Sequence, residues 1–151
     1  MNNKVELVEG DLFVDDRGYL SFFNDFKFDD IKRFYVVENH EKGYIRAWHG
    51  HLKERKYAYV VSGSALICLV PLEDIEDVKN QNKKDPSLVR VVMTSHMPGI
   101  LFIPEGYANG FKTLEENTKI IFFSSATLEE SKNDDYRYKW NLINPWGVRY
   151  R

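Results

Sequence analysis

At 151 residues and 17.8 kDa, 43% hydrophobic and 29% charged, the chain has the size and balance of a single globular domain spanning residues 1–151. A net charge of −2 and a pI near 6.1 exclude a broad basic field for nucleic acid but leave room for a local anion pocket. No run approaches the roughly 20 apolar residues of a membrane span. The opening MNNKVELVEGD lacks the basic head and apolar middle of a secretory signal, so a cytoplasmic protein with no membrane partner is expected.

In chain order, short β-type runs occupy residues 12–14, 19–23, 31–37, 44–51, 56–63, 65–70, 88–93, 100–104 and 119–125. Turn signals separate them, among them Asp16-Arg17-Gly18, Glu41-Lys42-Gly43, Ser62-Gly63-Ser64 and Pro98-Gly99. The spacing predicts an all-β domain, with no helix beyond a turn near Asp29 to Lys32. Residues 71–86, PLEDIEDVKNQNKKDP, are charged and lack alternation, which predicts a surface loop. The lone Cys68 lies in the apolar run ALICLV and reads as a packed core cysteine. The aromatic, basic tail from Tyr136 contains Asn144-Pro145 and reads as an ordered extended segment packed on the barrel or on a partner subunit.

Two histidines carry the sharpest chemical signal. Side chains two apart on a strand face the same way, so His49 and His51 share one face. Gly43 precedes His49 by five intervening residues, and Lys56 and then Gly63 follow His51 at intervals of four and six. This spacing resembles the first motif of the cupin superfamily, which implies a jelly-roll barrel, the double-stranded β-helix, with a ligand pocket in its mouth. Pro104-Glu105-Gly106-Tyr107-Ala108-Asn109 resembles the second motif, with Asn109 in place of a histidine. Metal-binding cupins carry a glutamate where this chain has Lys56. Two imidazoles and a cation make a poor ligand set, so neither a metal nor any other cofactor is expected.

Within that superfamily the chain resembles the dTDP-4-dehydrorhamnose 3,5-epimerases. Four segments carry the likeness in order: Asp16-Arg17-Gly18-Tyr19, Arg46-Ala47-Trp48-His49, the strand from Lys56 to Gly63, and Ile103-Pro104-Glu105-Gly106-Tyr107-Ala108-Asn109-Gly110-Phe111. The resemblance implies a nucleoside-diphosphate keto-sugar as substrate. A ketone acidifies the C–H bonds beside it, so a neutral imidazole can remove a proton and leave an enolate. By resemblance His49 is that base and Lys56 the cation that steadies the enolate oxygen. Arg46 and Arg17 are expected on the diphosphate, where planar donor forks match phosphate oxygens. Asn109 and Tyr107 complete the expected substrate-binding set. The resemblance also implies a homodimer, with strand exchange at the N-terminus.

Two departures from the family restrict the chemistry. The tyrosine that reprotonates the sugar corresponds to Phe122, which has no hydroxyl, and the aspartate that orients the base is expected to have no counterpart before Arg151. Tyr57 and Tyr59 have strand parity opposite to Lys56 and should point away from the site, which leaves Tyr107 or His51 to return the proton. Epimerisation at one carbon is therefore expected. Arg46-Ala47-Trp48-His49-Gly50-His51 also resembles the Arg-Gly-x-His-x-His segment of dTDP-sugar 3,4-ketoisomerases, so a 3,4-ketoisomerase using both histidines is the alternative. A non-catalytic sugar-nucleotide binder is the third reading.

Overall fold

The structure, a computed structural model, describes residues 4–151. The first three residues of the opening segment read for a targeting signal lie outside the described residues.

Two five-stranded antiparallel sheets face each other. In the first, β1 (Glu6–Glu9), β9 (Gly99–Ile103), β6 (Lys56–Ser62), β11 (Lys119–Ser124) and β4 (Arg33–Glu38) lie in that spatial order. In the second the order is β12 (Tyr136–Arg137), β5 (Ile45–His51), β10 (Tyr107–Thr113), β7 (Ser64–Pro71) and β8 (Val89–Thr94). A hairpin of β2 (Asp11–Asp15) and β3 (Gly18–Phe22) forms a small sheet of its own. This is the all-β jelly-roll barrel expected from the sequence.

Strand alternation divides the apolar residues into two layers. Ala58, Val60, Ala65, Ile67, Leu69, Leu101, Ile103, Phe111, Ile120 and Phe122 fill the barrel between the sheets. The opposite residues of β7, namely Leu66, Cys68 and Val70, point outward and are covered in turn by Trp48, Ile75 and Trp146. A strand buried on both faces needs an unbroken apolar run, which accounts for ALICLV and for Cys68, whose thiol burial pushes up to about 12.

The surface loop expected at residues 71–86 is corrected by the structure. Its first half is helix α1 (Leu72–Lys79), which buries Leu72 and Ile75 against the outer layer. A single apolar side chain per turn gives little periodicity among so many charges, yet that stripe suffices to cover β7. Asp74, also in α1, accepts hydrogen bonds from Lys83 Nζ at 2.8 Å and from the backbone N–H of Ser87 at 2.6 Å, which ties the following chain back to the helix. A second short helix, α2 (Leu128–Lys132), is closed by a capping box between Thr127 and Glu130. The tail packs on its own barrel: Trp146 lies 5.1 Å from Trp48, and Arg90 Nε donates to the Pro145 carbonyl.

Candidate active site

The two histidines face the barrel interior because Gly50 between them faces out. A Cβ on Gly50 would lie 2.4 Å from Leu72 Cδ2, so glycine is what lets α1 close on β5. Tyr107 pairs with His51 across the β5–β10 ladder and Asn109 with His49, and Arg137 of β12 pairs with His49 from the other side. Residues paired directly across a ladder share a face, so these five side chains lie on the interior face of the second sheet, and His49, His51 and Arg137 among them line a cavity.

A cavity of about 290 Å³ opens there, lined by Arg33, Tyr35, His49, His51, Lys56 and Arg137 together with residues of α2 and Asp135. Four cations, Arg33, Lys56, Lys132 and Arg137, meet a single carboxylate, Asp135, so the lining is positive although the whole protein is not. A larger hollow of about 590 Å³ between α1 and β12 shares Asp135 and Arg137, but it carries Glu73 and Glu76 and no imidazole. It suits an anionic, proton-exchanging substrate less well.

Lys56 is 7% exposed and lies 5.9 Å from the centroid of the Tyr35 ring. Among the described residues no carboxylate stands within ion-pair distance of it. A buried ammonium held by an aromatic face and no counter-ion is well placed to meet a negative charge brought by a ligand. His49 is held neutral: burial, then the charges of Arg137 and Lys56, lower its pKa to about 4. Burial and Lys56 lower that of His51 as well, against an upward pull from Glu54.

His51 is the more elaborately held imidazole. Its Nδ1 lies 2.5 Å from the Asp134 carbonyl and 3.0 Å from Glu54 Oε2, whereas its Nε2 is buried with no hydrogen-bond partner. Glu54 is itself fully buried and accepts from Ser124 Oγ, Ser131 Oγ and Arg33 Nη2. The Asp134 carboxylate accepts the backbone N–H groups of Leu52, Lys53 and Glu54 at 2.8 to 3.0 Å, which fixes the turn between β5 and β6. Glu54 and Asp134 gave no sequence signal, because a turn residue and a residue beyond a short helix become neighbours only through the fold.

Tyr35 was also missed. It pairs with Phe122 across the β4–β11 ladder and stacks on its ring, with centroids 5.4 Å apart. The alternation of Arg33, Tyr35 and Val37 against Phe34, Val36 and Glu38 marks a strand, but both sets contain apolar residues and neither is marked as inward. Tyr57 and Tyr59 lie outside the barrel as their parity predicts, Tyr57 donating its hydroxyl to Asp30 Oδ2 and Tyr59 meeting Phe23 edge-on.

The two arginines expected on the diphosphate are not brought to this cavity within one chain. Arg46 is exposed near the start of β5, after a register shift opposite Asn109 and Phe111, and its Nε donates to Asn39 Oδ1 at 2.8 Å. Arg17, 86% exposed, sits at the tip of the β2–β3 hairpin and pairs with Asp15. Arg33 and Arg137 occupy the rim instead. Asn109 is buried and donates its Nδ2–H to the His49 carbonyl at 3.1 Å, so it braces the strand. Tyr107 is half-buried and packs against the barrel core. Among the described residues no three His, Cys, Asp or Glu side chains converge to hold a metal ion.

Comparison with known proteins bears on this arrangement. A spore coat polysaccharide biosynthesis protein of Bacillus subtilis is 29% identical over 113 residues, covering 72% of this chain and 71% of its own. The dTDP-4-dehydrorhamnose 3,5-epimerase of Bacillus anthracis, solved with TDP and PPi bound, superposes with a TM-score of 0.71 at 23% identity, over 97% of this chain and 86% of that one. A sugar 3,4-ketoisomerase from Thermoanaerobacterium thermosaccharolyticum in complex with TDP gives 0.69 at 20% identity, over 95% of each chain. At these identities the two structures establish the fold. The family model described as dTDP-4-dehydrorhamnose 3,5-epimerase matches residues 3–144, nearly the whole chain, and the protein belongs to that family.

Proposed function

We propose that this protein is a nucleotide-sugar epimerase that acts on a nucleoside-diphosphate 4-keto-6-deoxy sugar by moving a proton on a carbon beside the ketone. The observation that carries this reading is the meeting of two imidazoles, a buried ammonium and a phenol in one positively lined cavity. An imidazole takes the ring proton, the C–H electron pair becomes a C=C bond, and the ketone oxygen becomes an enolate facing Lys56. Return of a proton to the opposite face of that carbon re-forms the ketone with inverted configuration. Tyr35, which lines the cavity and stacks on the ring of Phe122, supplies that proton. Arg137 and Arg33 hold the diphosphate at the rim.

The test is incubation in deuterated water with dTDP-linked and GDP-linked 4-keto-6-deoxy sugars, followed by NMR. Deuterium at carbon 3 or carbon 5 with the ketone kept at carbon 4 is the expected result, at one of the two carbons. The presence of both His49 and His51 in the cavity favours one other reaction, a 3,4-ketoisomerase, which would move the ketone to carbon 3. Saturable binding without exchange would mark a non-catalytic sugar-nucleotide binder and overturn both enzyme readings.

A homodimer belongs to the same proposal. Phe13, Val14, Tyr19 and Leu20 of the hairpin and Phe34 and Val36 of the edge strand β4 are all more than half exposed, a large apolar surface for one soluble chain. A second copy covers it, and Arg17 then reaches a phosphate in its neighbour's cavity. No helix among the described residues is long and apolar enough to cross a membrane, and a cytoplasmic location is the reading attached to an enzyme of activated sugars.

A further inference from the structure

We propose that Glu54 is the positioning carboxylate of a His51–Glu54 dyad, which aims the unpartnered Nε2 of His51 at the sugar and makes His51 the residue that takes up the ring proton. This rests on the keto-sugar reading above and adds a positioning residue to it. The turn between β5 and β6 places a buried carboxylate 3.0 Å from the His51 ring.

The geometry sets the tautomer. Both neighbours of Nδ1, the Glu54 carboxylate oxygen at 3.0 Å and the Asp134 carbonyl at 2.5 Å, are acceptors, so Nδ1 carries the hydrogen. In the neutral ring Nε2 then holds the lone pair. That atom is buried, faces no protein donor, and belongs to a side chain that lines the cavity. An acceptor left unmatched inside a protein is costly unless a ligand's hydrogen is meant to reach it.

Glu54 is not oriented by His51 alone. Ser124, Ser131 and Arg33 donate to its two oxygens and fix the carboxylate before any substrate arrives. When a sugar C–H bond breaks, its electron pair enters the ring C=C bond, the carbonyl pair moves to the oxygen facing Lys56, and the proton joins Nε2. The imidazolium so formed gives its Nδ1–H to the Asp134 carbonyl, and its charge is balanced by the Glu54 carboxylate 3.0 Å from Nδ1. His49 lacks this support: Arg137 and Lys56 both oppose its protonation, and of the carboxylates only Asp135 favours it. The charged and titratable groups around His51 are Glu54 in the turn, Asp134 before β12, Lys56 on β6, His49 beside it on β5, and Arg33, Tyr35, Lys132, Asp135 and Arg137 on the cavity wall.

Long-range proton–nitrogen NMR of imidazole-labelled protein reads the tautomer and titration of His51 without substrate, and deuterium exchange on the 4-keto sugars reads its chemistry. Expected are the Nδ1–H tautomer in the native protein and a lower His51 midpoint in Glu54→Gln. The same variant should exchange about 100-fold more slowly, with KM within about twofold of wild type. Glu54→Asp, which keeps the charge but withdraws it by one methylene, should fall between the two. The Nε2–H tautomer in the native protein would overturn the pairing even if no variant folds. So would an unmoved His51 midpoint in Glu54→Gln, or a loss of rate that follows only the folded fraction. Failure of the native protein to exchange any keto-sugar would overturn the proton-uptake role together with the reading it rests on, while the titration still decides the pairing.

Discussion

His49 and Tyr35 carry the sharpest expectations for single side chains. The folded protein holds His49 neutral down to about pH 4, whereas in the unfolded chain it titrates near 6.5. Below 6.5 the unfolded state binds a proton that the folded state refuses, so stability falls as pH drops from about 6.5 towards about 4 and is flat above that window. Urea midpoints across this range should show the slope, and His49→Gln should make it shallower, leaving the part due to His51. Tyr35→Phe keeps the stacked ring on Phe122 and removes the hydroxyl. It should leave deuterium entering the sugar from the base side while slowing inversion about 100-fold, and NMR separates the two rates. Equal loss of both would place Tyr35 in binding and not in proton return.

At the scale of elements, the turn between β5 and β6 depends on one residue distant in sequence. Asp134→Ala removes the acceptor of three backbone N–H groups and should cost about 2–4 kcal/mol in denaturant unfolding, with Asp134→Asn costing less. Nothing in the sequence pairs position 134 with positions 52 to 54, and the same holds for Glu54 and His51, whose contact depends on the path of a turn. The strands were legible because alternation is a property of neighbours along the chain. His49 and His51 could therefore be placed on one face in advance, and Tyr57 and Tyr59 on the face opposite to Lys56. Strand β10 (Tyr107–Thr113) was read only as a motif, since Tyr-Ala-Asn-Gly looks like a turn until it lies between β5 and β7. Helix α1 was hidden by its charges. Arg46 had the right spacing from His49, but its side chain is exposed and bonded to Asn39, outside the cavity.

For the whole molecule, the exposed apolar surface on β4 and the hairpin leads to a prediction about assembly. Light scattering should give twice the mass of one chain, and Phe34→Glu, on the solvent face of an edge strand, should yield monomers that keep native circular dichroism. A monomeric wild type would remove Arg17 from the site. Within each copy, Asp134 has a consequence that reaches across these scales. Its carboxylate fastens the turn that carries Glu54, and its carbonyl meets the His51 ring, so a single residue ties that turn to the imidazole on the cavity wall. This is an interlock: the contacts that hold the segment after α2 in place are the same ones that hold the His51 ring and the turn carrying Glu54.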